Sequence, residues 1–210
     1  MDDFFFAHNL CIVMKQTIAV FDFDGTLTHK DTLLEFIKYA YGAKWFYFVF
    51  FLFSPLLVLM RFHIYPNWKL KEHIFSFFFK GMEYVKFQSL CEQFAAEIEK
   101  FKRETMVDIM KRHITDGHEV YVVSASIEDW IKPWCKNNYV TKVLATKIEI
   151  DNNGLITGKF LSKNCYGKEK VNRLLIEGVK KEDFYIYAYG DSEGDKEMGK
   201  FADEFYMCQN

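Results

Sequence analysis

An acidic pair follows an apolar segment near the start of the chain. Residues 22–28 read DFDGTLT and come after the run TIAVF, so Asp22 and Asp24 lie two positions apart. Side chains at this spacing on a strand point to one face. Burying two carboxylates together is costly because they repel, and a divalent cation such as Mg²⁺ relieves that cost. One carboxylate could then attack phosphorus while the other transfers the leaving-group proton. For an isolated DxD pair, an acidic turn is the better interpretation.

A pair of serines and a pair of lysines could bind the phosphate that such chemistry needs. Ser124 and Ser126 follow the apolar run YVV, at a predicted strand end that opens a helix. A hydroxyl and free backbone N–H groups at such a point can bind phosphate oxygens, although serine is also a common helix cap. Lys168 and Lys170 lie at a predicted helix start. They point about 200° apart around the helix, so only one of them can face the site.

A second acidic cluster stands at the end of a later apolar segment. Residues 190–195 read GDSEGD, which places Asp191 and Asp195 in a glycine-rich loop. Acids in such a loop can complete a metal site begun by an earlier acidic pair. Taken alone, a solvated acidic loop is the more common explanation.

The elements that would position these clusters alternate between strands and helices. Short apolar runs predict strands at 17–23, 119–123 and 184–189, and amphipathic spacing predicts helices at 104–115, 127–136 and 170–179. Alternation of this kind predicts an α/β layer with a parallel sheet, whose ligands bind beyond the carboxyl ends of the strands. Residues 31–100 are predicted to be mainly helical, and residues 143–160 to form a hairpin around Asn152-Asn153-Gly154.

The four clusters, in this order, resemble the haloacid dehalogenase-like hydrolase superfamily. DFDGTLT is similar to its first motif, VVSAS to its second and YGDSEGD to its fourth. A helical insertion directly after the first motif resembles the C1-capped members, subfamily IB, which include phosphoserine phosphatases. The resemblance implies a Rossmann-like three-layer core with a parallel sheet over residues 1–30 and 103–210. An inserted all-helical C1 cap would occupy residues 31–102.

The resemblance also implies a role for each acid and for the first serine. Asp22 would be the nucleophile and a Mg²⁺ ligand. Asp24 would act as general acid and then general base, with its backbone carbonyl on the metal. Asp191 would be the third protein ligand, and Asp195 would support the metal directly or through water. Ser124 would bind the transferring phosphoryl group.

Spacing within the family favours Lys170 as the phosphate-binding lysine, with Lys168 as the alternative. Dehalogenases of the superfamily lack the second acid of the first motif, so the presence of Asp24 points to a phosphoric monoester hydrolase. Two other hypotheses remain open at this point. The chain could pass the phosphoryl group to an alcohol as a phosphotransferase, or it could be a membrane-binding or partner-binding protein with a vestigial site.

The predicted cap contains an unusually apolar stretch. Residues 45–60 carry no charge and are flanked by Lys44 and Arg61. As one helix the stretch would be ~24 Å long, shorter than the ~30 Å hydrocarbon core of a bilayer, and Pro55 would kink it. Burial in the cap and shallow contact with a membrane surface are equally consistent with this composition.

The cap bears on the choice of substrate. Its apolar stretch resembles that of bacterial phosphatidylglycerophosphatase-C-like members of the subfamily, which implies a phospholipid or other lipid-linked phosphate as substrate. A small phosphorylated metabolite is the alternative. A phosphoserine-type substrate would require charged cap residues, for which Glu35 and Arg61 are the candidates.

Composition excludes several other classes. The formal charge of −2 and the lack of a basic stripe argue against a nucleic-acid partner. Five cysteines without a CxxC pair favour neither a zinc site nor a disulfide framework.

The start of the chain bears on localisation. Phe4 to Phe6 are too short a run for a signal peptide, so we expect a cytoplasmic protein, with association at the inner face of the membrane if the apolar stretch contacts lipid. Met14 could be the native start.

Overall fold

The computed structural model describes residues 15–62 and 64–208. The hypothesis about Met14 concerns residues outside this range. The strands are β1 (Gln16–Phe21), β2 (Glu119–Ile127), β3 (Lys142–Thr146), β4 (Ile148–Ile150), β5 (Ile156–Phe160), β6 (Phe184–Gly190) and β7 (Glu204–Met207). The helices are α1 (Thr32–Tyr41), α2 (Ala43–Leu52), α3 (Ser54–Arg61), α4 (Asn67–Phe79), α5 (Tyr84–Ile98), α6 (Glu104–Thr115), α7 (Glu128–Asn137), α8 (Lys168–Ile176) and α9 (Lys196–Phe201). A single 3₁₀ turn, Glu193–Asp195, precedes α9 in this part of the chain.

A parallel sheet forms the centre of the molecule. Over the described residues its strand order is β3-β2-β1-β6-β7, and β1 pairs in parallel with both β2 and β6. Residues 18–21 of β1 are fully buried, as expected for a central strand covered on both faces. The predicted α/β fold with a parallel sheet is confirmed.

Helices cover both faces of the sheet and so make three layers. On one face Phe21 and Val122 belong to a core that includes apolar side chains of α6 and α7. On the other face Ile18 and Val20 pack with Leu174 of α8 and apolar side chains of α9. Because every parallel strand ends at the same edge, the loops after β1, β2 and β6 lie together.

Helices α1 to α5 follow β1 and are joined to the rest of the molecule by aromatic packing. Phe36 of α1 stacks on Trp130 of α7, with ring centroids 4.9 Å apart. The β4–β5 hairpin also reaches this helical segment, because the Gly81 amide donates to the Ile156 carbonyl at 2.8 Å and the Ile156 amide donates to the Met82 carbonyl at 3.0 Å. The helical segment is therefore held against the sheet edge that carries the predicted chemistry.

Several predicted boundaries are wrong. The strand predicted to end at Val123 continues to Ile127, because Ile127 pairs with Thr146 after a shift in register. Residues 143–160 were predicted as a hairpin, but their first part forms β3 at the edge of the parallel sheet and only β4 and β5 form the hairpin. Strand β7 was not predicted at all.

The apolar stretch of residues 45–60 is two helices rather than one. Helix α2 ends at Leu52, and Pro55 lies in the first turn of α3, where a missing backbone N–H costs little. Among the described residues no single helix is long and apolar enough to cross a membrane. Helices α2 and α3 meet that test only as a pair, with a bend of 63° between them.

Candidate active site

Asp22 lies directly after β1, at the carboxyl edge of the sheet. Its backbone amide donates to the Tyr189 carbonyl of β6 at 2.9 Å, which fixes the residue between two strands. The side chain is 7% exposed, and its Oδ1 lies 2.8 Å from Nζ of Lys170. Burial raises the pKa of Asp22 to about 6, against the opposing effect of the Lys170 charge. The lysine therefore favours the carboxylate form of a buried acid.

Lys170 and not Lys168 faces the site. Lys170 is 1% exposed, and besides Asp22 its Nζ contacts Oδ1 of Asp195 at 2.5 Å. Burial lowers the pKa of Lys170, but the charges of Asp22 and Asp195 outweigh it and raise the pKa above its ordinary value. Lys168, on the other side of α8, is exposed. The structure thus places a lysine whose protonated form is favoured between two buried carboxylates.

The second acidic cluster lies in the loop after β6, where Asp195 organises the backbone. Its Oδ2 accepts hydrogen bonds from the Ser192 amide at 3.0 Å, the Ser192 hydroxyl at 2.9 Å and the Asp191 amide at 3.2 Å. Asp195 is fully buried. Asp191 receives a hydrogen bond from the Thr26 hydroxyl at 3.2 Å, so the first and fourth motifs are directly connected.

Three of the predicted acids could hold one cation. Carboxylate oxygens of Asp22, Asp191 and Asp195 lie within 4.8 Å of one another. All three are hard oxygen donors, and a site with few protein ligands suits Mg²⁺, which usually keeps several waters. The Asp24 side chain is not part of this group. For Asp24 only the predicted backbone carbonyl would remain as a metal ligand.

Asp24 is held instead by neutral hydrogen-bond donors. The Thr32 amide at the start of α1 donates to Oδ1 at 2.9 Å, and the Ser126 hydroxyl donates to Oδ2. The Thr32 and Ser126 hydroxyls lie 2.6 Å apart, and Trp130 Nε1 donates to the Thr32 hydroxyl at 3.1 Å. Burial raises the pKa of Asp24 to about 7, and nearby Asp31 adds to the effect. Near neutral pH this carboxyl can both donate and accept a proton.

The serines lie within the last part of β2 rather than at a helix start. Ser124 is 1% exposed, and its hydroxyl accepts a hydrogen bond from the Ser126 amide at 3.1 Å. The expectation that Ser124 opens a helix is therefore wrong, since α7 begins only at Glu128. Ser124 nevertheless lines the same cavity as Asp22, Asp24 and Lys170.

A family model described as haloacid dehalogenase-like hydrolase matches residues 19–200. The chain belongs to this family. A relative named protein CicA, from Caulobacter vibrioides, is 31% identical over 188 residues, which cover 89% of this chain and 83% of that protein. The predicted superfamily is confirmed, and the matched range includes the four clusters described above.

Solved structures give the same fold. A protein of unknown function from Bordetella pertussis Tohama I superposes with a TM-score of 0.80 at 20% identity, covering 92% of this chain and 90% of that one. The phospho-aspartyl intermediate analogue of phosphoserine phosphatase superposes with a TM-score of 0.61 at 20% identity, covering 92% and 87%. At these identities the likeness establishes the fold.

Helix α4 adds residues that the sequence analysis did not identify. Asn67 and Lys71 line the cavity of about 120 Å³ above Asp22, together with Asn164 and Tyr166 from the loop before α8. Lys71 Nζ lies 3.7 Å from Oδ2 of Asp31. Burial lowers the pKa of Lys71, but nearby carboxylates outweigh it and raise the pKa. The hydrolase therefore presents a second cation to its site, from the helical segment.

The two charged residues predicted for a phosphoserine-type substrate lie elsewhere. Glu35 forms ion pairs with Lys38 at 2.8 Å and with Lys30 at 3.4 Å. Arg61 lines an outer groove rather than the catalytic cavity. Lys71, rather than Glu35 or Arg61, lines the cavity above Asp22. The run WKLKE around Lys71 is an ordinary amphipathic pattern and carries no signal that would single out this lysine.

Proposed function

We propose that this haloacid dehalogenase-like hydrolase is a Mg²⁺-dependent phosphatase that hydrolyses a phosphate monoester through an aspartyl-phosphate on Asp22. The observation that carries the proposal is the difference between two neighbouring carboxyls. Asp22 lies against the Lys170 ammonium at 2.8 Å, whereas the pKa of Asp24 is raised to about 7 by burial. One is suited to attack and the other to transfer a proton.

In the first half-reaction an Asp22 carboxylate oxygen forms a bond to phosphorus as the bond to the ester oxygen breaks. Asp24 donates its proton to the departing alcohol oxygen, so the product leaves as a neutral alcohol. Lys170 and the Ser124 hydroxyl bind the non-bridging phosphoryl oxygens, where negative charge accumulates. The Asp24 carboxyl is already aligned for this step by the Thr32 amide and the Ser126 hydroxyl.

In the second half-reaction water attacks the aspartyl-phosphate. The Asp24 carboxylate accepts a proton from that water, inorganic phosphate leaves, and the Asp22 carboxylate and the Asp24 acid are regenerated. Mg²⁺ held by Asp22, Asp191 and Asp195 would neutralise phosphoryl charge during both steps. An alcohol in place of water would give the phosphotransferase reaction, which remains the second candidate.

The substrate stays within the two classes that the sequence predicts, a lipid-linked phosphate or a small phosphorylated metabolite. The mixture of polar and aromatic residues around the cavity, Asn67 and Tyr166 among them, supports either class. We further propose that the protein acts in the cytoplasm, associated with the inner face of the membrane if the apolar stretch contacts lipid.

The test is turnover of p-nitrophenyl phosphate with Mg²⁺ and after its removal by EDTA. We expect activity to require the cation and to be lost in Asp22→Asn, while the exposed control Asp108→Asn keeps it. Mass spectrometry of the acid-quenched enzyme should show one added phosphoryl group on the peptide that contains Asp22. Equal activity in Asp22→Asn, or a phosphoryl group on another residue, would refute the proposal.

A further inference from the structure

Helices α2 and α3 expose a continuous set of large apolar side chains. Phe51 is 79% exposed, and Trp45, Phe48, Val58 and Phe62 are each more than half exposed. We call the exposed apolar side chains of residues 45–62 the apolar face. Soluble monomers rarely leave so many large apolar side chains together in water, and such patches usually mark an interaction site.

The packing of the two helices explains why this face points outward. Only Phe46 and Val49 of α2 are buried, three positions apart on one narrow stripe, and no residue of α3 is buried. A helix that is apolar all round and buried along one stripe leaves most of its apolar surface uncovered. The 63° bend between α2 and α3 lets both helices lie along one surface.

The charges around the apolar face are of one sign. Between Glu35 and Glu72 the sequence contains no acidic residue, although the whole chain has a formal charge of −2. Lys44, Arg61 and Lys69 in this segment are exposed. A second copy of the chain on a symmetric interface would bring these like charges together without acids to pair them. An anionic surface would attract them.

The apolar face also borders the approach to the active site. A groove of about 460 Å³ is lined by Met60 and Arg61 at the end of α3 and by Trp68 of α4. Its inner wall includes Asn67 and Tyr166, which also line the catalytic cavity. A membrane or partner that covers α2 and α3 would therefore lie beside the entrance to the catalytic cavity.

We propose that the apolar face binds an anionic lipid surface, with its aromatic side chains at the boundary between headgroups and acyl chains and its basic residues at the headgroups. Trp and Tyr favour this interfacial depth, and basic residues near it add electrostatic attraction. The binding is independent of catalysis. Its consequence, that phosphate esters at the lipid surface meet the mouth of the site, rests on the phosphatase function proposed above.

The test is flotation of the full chain with vesicles of phosphatidylcholine alone and of phosphatidylcholine mixed with phosphatidylglycerol. We expect the protein to float with the mixed vesicles. The variant Trp45→Ser/Phe48→Ser/Phe51→Ser should partition at least ~tenfold less. The variant Lys44→Gln/Arg61→Gln should lose about fivefold per charge on mixed vesicles only.

The matched control is Val85→Ser/Ile176→Ser, which removes exposed apolar side chains from α5 and α8. It should float like the unmodified chain. All variants should keep their p-nitrophenyl phosphate turnover, which reports on the site separately. A chain that stays unbound with both vesicle types, or that buries these aromatics in a stable dimer, overturns the inference. Flotation without turnover would refute the phosphatase function alone.

Discussion

Replacing Lys170 by methionine removes one buried cation while keeping the length of the side chain. In the structure this cation lies 2.8 Å from Asp22 Oδ1 and 2.5 Å from Asp195 Oδ1. Removing one partner of a buried ion pair typically costs 3–5 kcal/mol, roughly, because a charge is left uncompensated. Here protonation of Asp22 limits that cost. With a pKa of about 6, protonating this carboxyl at pH 7 costs only ~1.4 kcal/mol.

We therefore expect Lys170→Met to lose about 3–5 kcal/mol of unfolding free energy, because protonation relieves Asp22 but the fully buried Asp195 carboxylate also loses its cation. Its activity should also fall sharply. Without the opposing lysine charge the pKa of Asp22 rises further, so less of the nucleophile is ionised, and one phosphate-binding cation is missing. Removing a single such group costs on the order of 10²–10³-fold in turnover. The acidic limb of the pH–rate profile should also move to higher pH.

The assay pairs kcat/KM for p-nitrophenyl phosphate, measured across pH, with urea unfolding followed by circular dichroism. The matched control is Lys168→Met, two positions away on the exposed side of α8, which should change neither quantity. The reasoning fails if Lys168→Met loses as much activity as Lys170→Met. It also fails if Lys170→Met keeps its turnover with an unchanged pH profile.

Three further changes test other parts of the site. Asp24→Asn should lower kcat/KM, which reports formation of the aspartyl-phosphate, by ~10²–10⁴-fold for an alkyl phosphate but much less for p-nitrophenyl phosphate, since nitrophenolate leaves without a proton; equal losses in kcat/KM would exclude the acid role. Gly25→Ala places a Cβ 2.2 Å from Asp191 Oδ2, so the Mg²⁺ concentration for half-maximal activity should rise. Gly42→Ala has a similar positive φ, with ψ 160°, and no neighbour within 4 Å, so it should cost ~1–3 kcal/mol of stability through backbone strain alone and leave the Mg²⁺ requirement unchanged. Burial, and then His118, lower the pKa of His113, so the folded protein binds this proton less readily than the unfolded chain. Its contribution to stability is therefore lost as pH falls below about 6.5, and thermal melts of His113→Asn should show a weaker loss over that range than the unmodified chain.

The sequence predicts the central strands well because their signals are local. A short run such as TIAVF, buried on both faces, has few other structures available to it. Boundaries that depend on partners are predicted less well. The end of β2 is set by pairing of Ile127 with Thr146, and nothing in the run VVSAS encodes that pairing. The same limit applies to β3, whose alternating pattern suits a hairpin arm and a sheet edge equally.

The acids of the site are predictable because each belongs to a distinctive motif that follows a buried strand. Lys71 and Asn67 are not, because they enter the site only when α4 packs over the sheet edge. Their positions depend on how the helical segment docks, through contacts such as Phe36 on Trp130, and not on spacing in the sequence. Ser126 is an intermediate case. The pattern SAS indicates two hydroxyls, but only the structure shows that the second one donates to Asp24.

Asp22 and Asp24 are two residues apart, yet the fold surrounds them differently. Asp22 faces an ammonium group supplied by α8, and this charge opposes the rise in pKa that burial causes. Asp24 faces an amide and a hydroxyl, with Asp31 as a nearby like charge, so its pKa rises further, to about 7. Two identical side chains with different surroundings can divide the roles of nucleophile and acid. The DxD spacing supplies the pair, and the elements that pack around it, α8 on one side and α1 on the other, assign the roles.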